Sequence, residues 1–260
     1  MTTFATRMYN LGVLLQIADG FSLRRAGLKA QTVQKLRQAC TLVDASPRTI
    51  IDIGEHRGEF LSLAALAFPT AQIHCFEPVR SSFRELERQA REIGRRVQCH
   101  ALALGRASED VKIRVATFTA ASSVFDMAPL HREAFPRAAS LARVERVHSE
   151  RLDDWAADRY LEQPILVKLD VQGAELDVLA GAETLLHERV MLLVEMSFDE
   201  LYVGAPLAPE VMSFLSERGY RLVEILDDLR DPTTNRLLQA DGIFVSSPDF
   251  RHESEDREAR

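Results

Sequence analysis

Short apolar runs alternate with stretches of helical periodicity through most of this chain. Strand-like runs lie at residues 49–53, 72–76, 97–102, 165–170 and 190–196, and helical patterns lie at 59–68, 81–93, 174–188 and 209–218. Because parallel strands need a crossover connection that is usually a helix, this alternation predicts a doubly wound α/β fold. Two closing strands, 220–226 and 238–245, have no room for a helix between them, so we expect them to pair antiparallel. The prediction is a mostly parallel sheet of seven strands.

The two ends of the chain differ from this alternating region. Residues 7–19 and 29–45 have helical periodicity, which predicts a helical N-terminal cap over residues 1–46. Residues 249–260 form a run of charges and are expected to be a disordered tail. The sheet domain is therefore predicted to occupy residues 47–248.

A long insertion interrupts the alternation before the fourth strand. Residues 105–163 number about sixty, where a doubly wound connection needs roughly twenty-five. The insertion contains a strand-like run at 111–117, a helical pattern at 130–143, an alternating segment at 144–152 and a helix start at Asp153-Asp154-Trp155. We interpret it as a lid or an acceptor-binding region, and a purely structural addition is the alternative.

The composition restricts the class of protein. Of 260 residues, 46% are hydrophobic and 27% are charged, which is ordinary for a soluble globular protein, and the net charge of −7 disfavours a general nucleic-acid binder. No apolar run approaches the roughly 20 residues of a membrane span, and the start of the chain lacks the apolar region of a secretory signal. The three cysteines lack metal-like spacing, and Cys75 and Cys99 fall in predicted strands as core thiols, which favours a reducing cytoplasm.

The carboxyl ends of the first two predicted strands resemble a nucleoside-binding device. The first strand runs into the turn 54–58, and the second strand ends at Glu77-Pro78. In such strand–turn–helix–strand units the turn brings backbone N–H groups near the ligand, and the second-strand carboxylate accepts hydrogen bonds from both ribose hydroxyls. Alternatively, Glu77 only favours the start of the following helix, for which Ser81 or Ser82 is the expected N-cap.

The glycine spacing in the turn narrows the ligand class. Gly54-x-x-x-Gly58 lacks the third glycine of the dinucleotide pattern, so a ligand without phosphates fits better than a pyrophosphate. S-adenosylmethionine has a ribose and an adenine but no phosphate, and Asp52 can approach its amino group directly or through water. The predicted cofactor-binding residues are Asp52, Gly54, His56, Gly58, Glu77, Pro78 and Leu102. For His56, a plain turn residue is an equal alternative.

The fourth strand carries a lysine and an aspartate on one face. Lys168 and Asp170 are two residues apart, so their side chains point the same way, and a lysine inside an apolar strand needs a partner. One interpretation is a structural ion pair. The other is that Asp170 positions or deprotonates an acceptor hydroxyl while Lys168 tunes it. Glu175 follows in the first turn of the next helix, where helix capping explains it.

The fifth strand ends in another carboxylate. Glu195 is expected near Asp170 if their strands are neighbours, and paired carboxylates can share a proton or hold a divalent cation. Because no third ligand is evident, no metal is predicted. Glu195 either orients the acceptor or exchanges a proton with it, or it is a satisfied carboxylate at the sheet edge. The predicted catalytic residues are Asp170, Lys168 and Glu195.

Histidines and arginines leave further alternatives open. His74 and His100 lie in strands and are expected to pack in the core, whereas His131 and His148 lie in the insertion and either could serve as a base. The insertion is also locally basic, through Arg132, Arg137, Arg143 and Arg146. These arginines form a solvated face or recognise an anionic acceptor, such as a nucleotide-linked or lipid-linked sugar.

A set of motifs runs from the first strand to the last. It comprises residues 51–58, Phe76-Glu77-Pro78, Leu104-Gly105, Ser122-Ser123, residues 167–179, Gly181-Ala182, Leu193-Val194-Glu195 and residues 241–245. Together these motifs resemble the FkbM-type methyltransferase family over about residues 49–245, most specifically at 167–179.

The resemblance implies a Rossmann-like class I fold that uses S-adenosylmethionine, and O-methylation of a hydroxyl. Family acceptors include sugars and polyketide-type natural products. The residues that it assigns to the cofactor are Asp52, Gly54, Gly58 and Glu77, with Asp170 beside them. Family members often have Ala-Asn where this chain has Glu55-His56, so the extra carboxylate bears on how the methionine end of the cofactor is bound.

The leading functional hypothesis is methyl transfer from S-adenosylmethionine to a hydroxyl of a sugar, glycan or natural-product acceptor. A nicotinamide-dependent oxidoreductase shares the fold and the ribose carboxylate, but the third glycine and a Tyr-x-x-x-Lys set are missing. A third possibility is an inactive cofactor-binding module that acts through partners. The sequence names neither the acceptor nor the oligomeric state.

Overall fold

The computed structural model describes residues 22–42, 46–136, 140–188 and 190–246. Its helices are α1 Ser22–Leu42, α2 Glu59–Ala67, α3 Arg80–Ile93, α4 Pro129–Ala134, α5 Leu152–Ala156, α6 Glu175–Ala180 and α7 Ala208–Glu217, with 3-10 turns at Thr119–Ala121 and Leu185–His187. The predicted helix at 29–45 corresponds to α1, which begins earlier. The predicted helix at 7–19 and the predicted tail at 249–260 lie outside the described residues.

Within the described residues, ten strands form two sheets. The strands are β1 Thr49–Ile53, β2 Gln72–Phe76, β3 Val97–His100, β4 Ala103–Leu104, β5 Glu109–Ala116, β6 Leu141–Glu150, β7 Ile165–Leu169, β8 Val190–Ser197, β9 Tyr220–Arg230 and β10 Leu237–Ser246. The large sheet has seven strands in the order β3-β2-β1-β7-β8-β10-β9. Its first five strands are parallel, and β10 is antiparallel to both of its neighbours. The predicted sheet, including the antiparallel closing pair, is confirmed.

Both faces of the central strands are covered, as their apolar sequences require. Every residue of β1 and of β7 is buried. Along β1, Ile51 and Ile53 pack in one core with Trp155, whereas Ile50 packs in the opposite core with Leu36 of α1. Lys35 of α1 also donates to the carbonyl of Leu226 in β9, at 2.8 Å. The helix α1 therefore covers one face of the sheet, and the division of the chain into cap, domain and tail remains a prediction.

The insertion forms a smaller sheet beside the carboxyl edge of the large one. Its strand order is β4-β6-β5, with β5 and β6 antiparallel. The predicted strand at 97–102 ends earlier, at His100, where the chain leaves the large sheet, and β4 beyond it pairs with β6. The predicted helix at 130–143 was wrong over its last residues, which pair with β5 as part of β6.

Two helix boundaries also differ from the prediction. The helix predicted at 174–188 ends at Ala180, with Gly181 as its C-cap, and Gly181 packs so closely against the backbone of Gly105 that a Cβ would lie 2.0 Å from the Gly105 oxygen. The chain then makes the second 3-10 turn. The N-cap of α3 is Val79 rather than Ser81 or Ser82. Glu77 accepts the N–H of Val79 itself, and the N-cap residue makes no side-chain hydrogen bond to the first turn of α3.

No helix in the described ranges is both long enough and apolar enough to cross a membrane.

Candidate active site

A cavity of about 680 Å³ lies at the carboxyl ends of the parallel strands. It includes the point between β1 and β7 where the strand order reverses, which is where ligands bind in open α/β sheets. Eight of the ten predicted site residues line it, namely Gly54, His56, Glu77, Pro78, Leu102, Lys168, Asp170 and Glu195. Asp52 and Gly58 lie behind its wall. The structure thus brings the predicted cofactor and catalytic groups into one cavity.

Glu77 is fixed in the cavity wall by two backbone groups. Its Oε2 accepts the N–H of His56 at 2.9 Å and its Oε1 accepts the N–H of Val79 at 2.6 Å. The residue is only 5% exposed, and burial raises the pKa of its carboxyl to about 8 despite these two hydrogen bonds. Glu77 therefore has a single orientation, with each oxygen retaining capacity for a further donor.

The turn after β1 differs from the expectation that its N–H groups face the ligand. The N–H groups of Gly54 and Glu55 both donate to the carbonyl of Phe76, at 3.0 and 3.1 Å. With the His56 N–H held by Glu77, three successive donors are engaged within the protein. Gly54 has a φ of 83°, and a Cβ there would lie 1.9 Å from the Asp170 carbonyl oxygen. Its glycine character thus allows the ends of β1 and β7 to approach each other closely.

The two residues that depart from the family pattern have different surroundings. Glu55 is 2% exposed, and its Oε1 accepts the N–H of Leu61 at 3.0 Å in the first turn of α2. An acid at this helix end is stabilised by the unpaired N–H groups there. Both residues line the cavity, and Glu55 Oε2 is buried without a hydrogen-bond partner among the described residues. His56 Nε2 lies 2.7 Å from Thr119 Oγ1 in the insertion. Gly58, with a φ of 103°, begins α2 and faces Gln89 rather than the cavity.

A buried lysine connects the two strand ends on either side of the switch point. The Nζ of Lys168 lies 3.1 Å from Asp170 Oδ2 and 3.7 Å from Asp52 Oδ1. The predicted ion pair of Lys168 with Asp170 is therefore present, and Asp52 is a second partner. Burial alone would lower the pKa of Lys168, but the carboxylates of Asp170 and Asp52 raise it above its usual range. Burial raises the pKa of Asp52 to about 7, against the attraction of Lys168.

Asp170 and Glu195 are joined by a glutamine that the sequence reasoning did not place in the site. Gln172 Nε2 donates to Asp170 Oδ1 at 2.8 Å and to Glu195 Oε2 at 2.9 Å. Gln239 of β10 also donates to Glu195 Oε2, at 2.9 Å. Burial first, and then the charges of Asp170 and Asp241, raise the pKa of Glu195 well above its usual range. Glu195 thus lies beside Asp170 as predicted, within a network of carboxamides.

Tyr202 and His131 complete this side of the cavity. The Tyr202 hydroxyl lies 2.6 Å from Gln172 Oε1, and its ring lies 5.2 Å from the ring of His131. His131 lines the cavity, and burial lowers its pKa. Its buried Nδ1 has no hydrogen-bond partner among the described residues. Tyr202 and Gln239 lie far along the chain from Asp170, and no local motif marks them, whereas Gln172 lies three residues beyond the end of β7.

The remaining candidate residues lie elsewhere. His74 and His100 pack against Trp155 in the core, as predicted. His148 is exposed and lies 3.4 Å from Asp110. Arg143 is paired with Glu145 and Ser81, and Arg137 lies outside the described residues. Among the residues that the structure describes, no three His, Cys, Asp or Glu side chains are grouped as a metal site.

Comparison with known proteins identifies the family. The family model described as the methyltransferase FkbM domain matches residues 52–222. The chain belongs to the FkbM methyltransferase family. This confirms the predicted family, and the seven-stranded sheet with its antiparallel β10 is that of the class I methyltransferases. The family match does not support the oxidoreductase alternative.

Two curated relatives have similar sequences. The 2-O-methyltransferase NoeI of Sinorhizobium fredii is 27% identical over 196 residues, which cover 74% of this chain and 78% of that protein. The 31-O-demethyl-FK506 methyltransferase FkbM of Streptomyces tacrolimicus is 27% identical over 207 residues, which cover 69% of this chain and 75% of that protein. The first relative is named as a 2-O-methyltransferase, and the second is named as a methyltransferase that acts on 31-O-demethyl-FK506.

Solved methyltransferase structures are more distant. The magnesium protoporphyrin IX methyltransferase of Synechocystis PCC 6803 has a TM-score of 0.42 at 12% identity, with 88% of this chain and 86% of that chain covered. The precorrin-6y C5,15-methyltransferase of Geobacter metallireducens has a TM-score of 0.42 at 9% identity, with 82% and 86% covered.

Proposed function

We propose that this FkbM family member transfers a methyl group from S-adenosylmethionine to a hydroxyl of a sugar, glycan or natural-product acceptor. The observation that carries the proposal is the shared cavity. Glu77, at the end of β2, and the pair Asp170 and Glu195, beyond β7 and in β8, line the same space across the switch point. The names of both curated relatives support a hydroxyl as the acceptor group.

The cavity wall fits the nucleoside part of this cofactor. Glu77 is a buried carboxylate with its orientation fixed by His56 and Val79, which suits it to accept hydrogen bonds from a ribose diol. Pro78 and Leu102 supply apolar surface next to it for the adenine. When bound, S-adenosylmethionine supplies a methyl group already activated by its sulfonium. Asp52 is 0% exposed and is proposed to act through the charge of Lys168 rather than by touching the cofactor.

The other side of the cavity is proposed to handle the acceptor hydroxyl. Asp170 is held by Lys168 and Gln172, and its side chain is 33% exposed, so it can accept a hydroxyl proton as the new bond forms. Glu195, whose carboxyl is partly buried among carboxamides, is proposed to orient the same hydroxyl. Positioning then supplies much of the rate acceleration, because the methyl donor is activated before it reaches the protein.

The acceptor class follows from the charges around this space. Asp170, Glu195, Asp227 and Asp241 all line the cavity, whereas Lys168 is already engaged by two carboxylates. Arg57 also lines the cavity, at the turn after β1, where it donates to Thr119 Oγ1 at 3.1 Å. We therefore propose a neutral polyhydroxylated acceptor rather than an anionic one. A cytoplasmic location is proposed with it, and the three free cysteines, Cys40, Cys75 and Cys99, support a reducing compartment.

Calorimetric titration with S-adenosylhomocysteine tests the cofactor assignment. We expect binding by the wild type and at least tenfold weaker binding by Glu77→Gln. The control Glu92→Gln makes the same change on the exposed surface of α3 and is expected to bind like the wild type. A folded wild-type protein that binds no S-adenosylhomocysteine would overturn the proposal, as would equal binding by Glu77→Gln.

Methyl transfer is then measured directly. The protein is incubated with methyl-labelled S-adenosylmethionine and a panel of neutral, amino and phosphorylated sugars together with hydroxylated polyketides. Label in the neutral hydroxylated compounds, lost in Asp170→Asn, is the expected result. Label confined to phosphorylated compounds would contradict the acceptor class while leaving the cofactor assignment intact.

A further inference from the structure

Gln172 occupies the space between the two proposed acceptor-binding carboxyls. One amide nitrogen donates to both, at 2.8 Å to Asp170 Oδ1 and 2.9 Å to Glu195 Oε2. Two carboxyl groups this close would repel each other when both are charged. A shared N–H₂ group is the simplest way to hold them side by side, since each of its hydrogens can serve one of them.

The amide of Gln172 is itself held in one orientation. Its Oε1 accepts a hydrogen bond from the Tyr202 hydroxyl at 2.6 Å. Burial raises the pKa of Tyr202 far above neutrality, so this hydroxyl keeps its proton and can donate. With Oε1 turned towards Tyr202, the amide nitrogen must face the carboxyls. The backbone is fixed as well, because Ser123 Oγ donates to the Gln172 carbonyl at 2.6 Å.

The backbone of Gln172 has an unfavourable conformation. Its φ is 54°, in the left-handed region that residues other than glycine seldom adopt. Glycine follows at position 173, so the turn itself could have been made with small residues alone. A long carboxamide in a strained conformation, with both of its amide atoms bonded, indicates a position selected for its side chain.

We propose that Gln172, held by Tyr202, is a positioning residue that sets the separation of Asp170 and Glu195 and directs Glu195 Oε1 to the acceptor hydroxyl. Both Gln172 and Gln239 donate to Oε2, so neither amide occupies Oε1. Tyr202 thereby connects the segment after β8 to the groups that handle the acceptor. This inference rests on the proposed acceptor roles of the two carboxyls, but its test needs no acceptor.

The test measures the titration of Glu195 by carbon-13 NMR of carboxyl-labelled glutamate, with the signal assigned by its absence in Glu195→Gln. In Gln172→Leu the side chain keeps its Cβ and Cγ but is one atom shorter and loses the shared donor. We expect the pKa of Glu195 to rise by about one pH unit, because a hydrogen bond that favours the charged form is removed. Tyr202→Phe should shift it in the same direction by less, since the amide can then rotate.

Two controls separate this role from a general loss of structure. Gln98→Leu makes the same change on the exposed surface of β3 and should leave the Glu195 titration unchanged. Binding of S-adenosylhomocysteine should be retained in Gln172→Leu and Tyr202→Phe, because neither residue touches Glu77. A Glu195 titration that is unchanged in both Gln172→Leu and Tyr202→Phe, or that shifts equally in Gln98→Leu, overturns the inference. Failure of the wild type to bind S-adenosylhomocysteine counts against the proposed function instead.

Discussion

Asp52 and Lys168 are partners in the register of β1 and β7, and 3.7 Å separates Asp52 Oδ1 from Lys168 Nζ. They lie on the two strands that meet at the switch point, so this pair spans the centre of the site. Asp52 is 0% exposed, and neither of its carboxyl oxygens has a hydrogen-bond partner in the described structure. Lys168 is therefore the main group that stabilises a charge on Asp52, while it also binds Asp170.

Lys168→Met is expected to destabilise the protein by about 3 kcal/mol, because removing one partner leaves buried carboxyls unpaired. Asp52→Asn is expected to cost less than about 1 kcal/mol, since Lys168 keeps Asp170 as a partner. The free energy of unfolding in urea at pH 7 measures both. Lys112→Met, on the exposed face of β5, is the matched control. Equal losses from Lys168→Met and Lys112→Met would show that the buried lysine is not paired as described.

Gly54→Ala is predicted to be among the most damaging single substitutions at the site. A Cβ there would lie 1.9 Å from the Asp170 carbonyl oxygen, and backbone cannot move aside as a flexible side chain can. Gly204 also has a left-handed backbone conformation, with a φ of 75°, but the Cβ of Gly204→Ala would meet nothing within 4 Å. We expect about 1 kcal/mol for Gly204→Ala, from backbone strain alone, and several times more for Gly54→Ala. Chemical denaturation of both variants measures the loss of unfolding free energy. Similar losses in the two variants would contradict the close approach of β1 and β7.

The large sheet could be predicted because each of its strands is recognisable from a short segment of sequence. β1 and β7 are short, mostly apolar on both faces apart from Thr49, Asp52 and Lys168, and bounded by turn residues, so each can be recognised from a few positions. The pairing of Lys168 with Asp170 follows from the two-residue period of a strand. Glu77 was likewise found from its place at the end of β2.

The errors arise where tertiary contacts override local pattern. Residues 141–143 have helical character, but they pair with β5. Gly181 ends α6, and its close packing against Gly105, far along the chain, is not visible in the local pattern. The same holds for the site, since Tyr202 and Gln239 reach Gln172 and Glu195 from distant elements. Sequence spacing could not reveal that Asp52 and Gly58 lie behind the cavity wall.

Acid should lower the free energy of unfolding through the protonation of His74. Burial lowers the pKa of His74 from 6.5 to about 4, so between these values the unfolded chain binds more protons than the folded one. The contribution of the neutral His74 ring to the free energy of unfolding is fully present above pH 6.5 and is lost as the pH falls towards 4. At about 1.4 kcal/mol per unit, the loss from His74 is on the order of 3 kcal/mol.

His74→Phe removes this titration, while carboxyls with raised pKa values, such as Glu77 and Glu175, act in the opposite sense in both proteins. His100, whose Nε2 lies 3.3 Å from His74 Nδ1 and whose pKa burial lowers to about 4, also remains in both proteins. The phenyl ring keeps the contacts with Trp155 and cannot be protonated. We expect the difference in unfolding free energy between His74→Phe and the wild type to grow in favour of the variant from pH 6.5 to pH 4. His187→Phe, at an exposed position, should show a constant difference, and a constant difference for His74→Phe would refute the prediction.

Substitution of Glu55 tests whether its carboxylate stabilises the start of α2 or contacts the cofactor. Its Oε1 accepts the Leu61 N–H at 3.0 Å, so Glu55→Gln should remove the charge that favours the start of α2 and lower stability by about 1 kcal/mol. Glu55 borders the cavity, but it is only 2% exposed and its Oε1 is bonded at the helix end, so S-adenosylhomocysteine should bind Glu55→Gln within twofold of the wild type. Urea denaturation and calorimetric titration of the same samples measure the two effects. Weaker binding without loss of stability would show instead that the extra carboxylate of this turn contacts the methionine end of the cofactor.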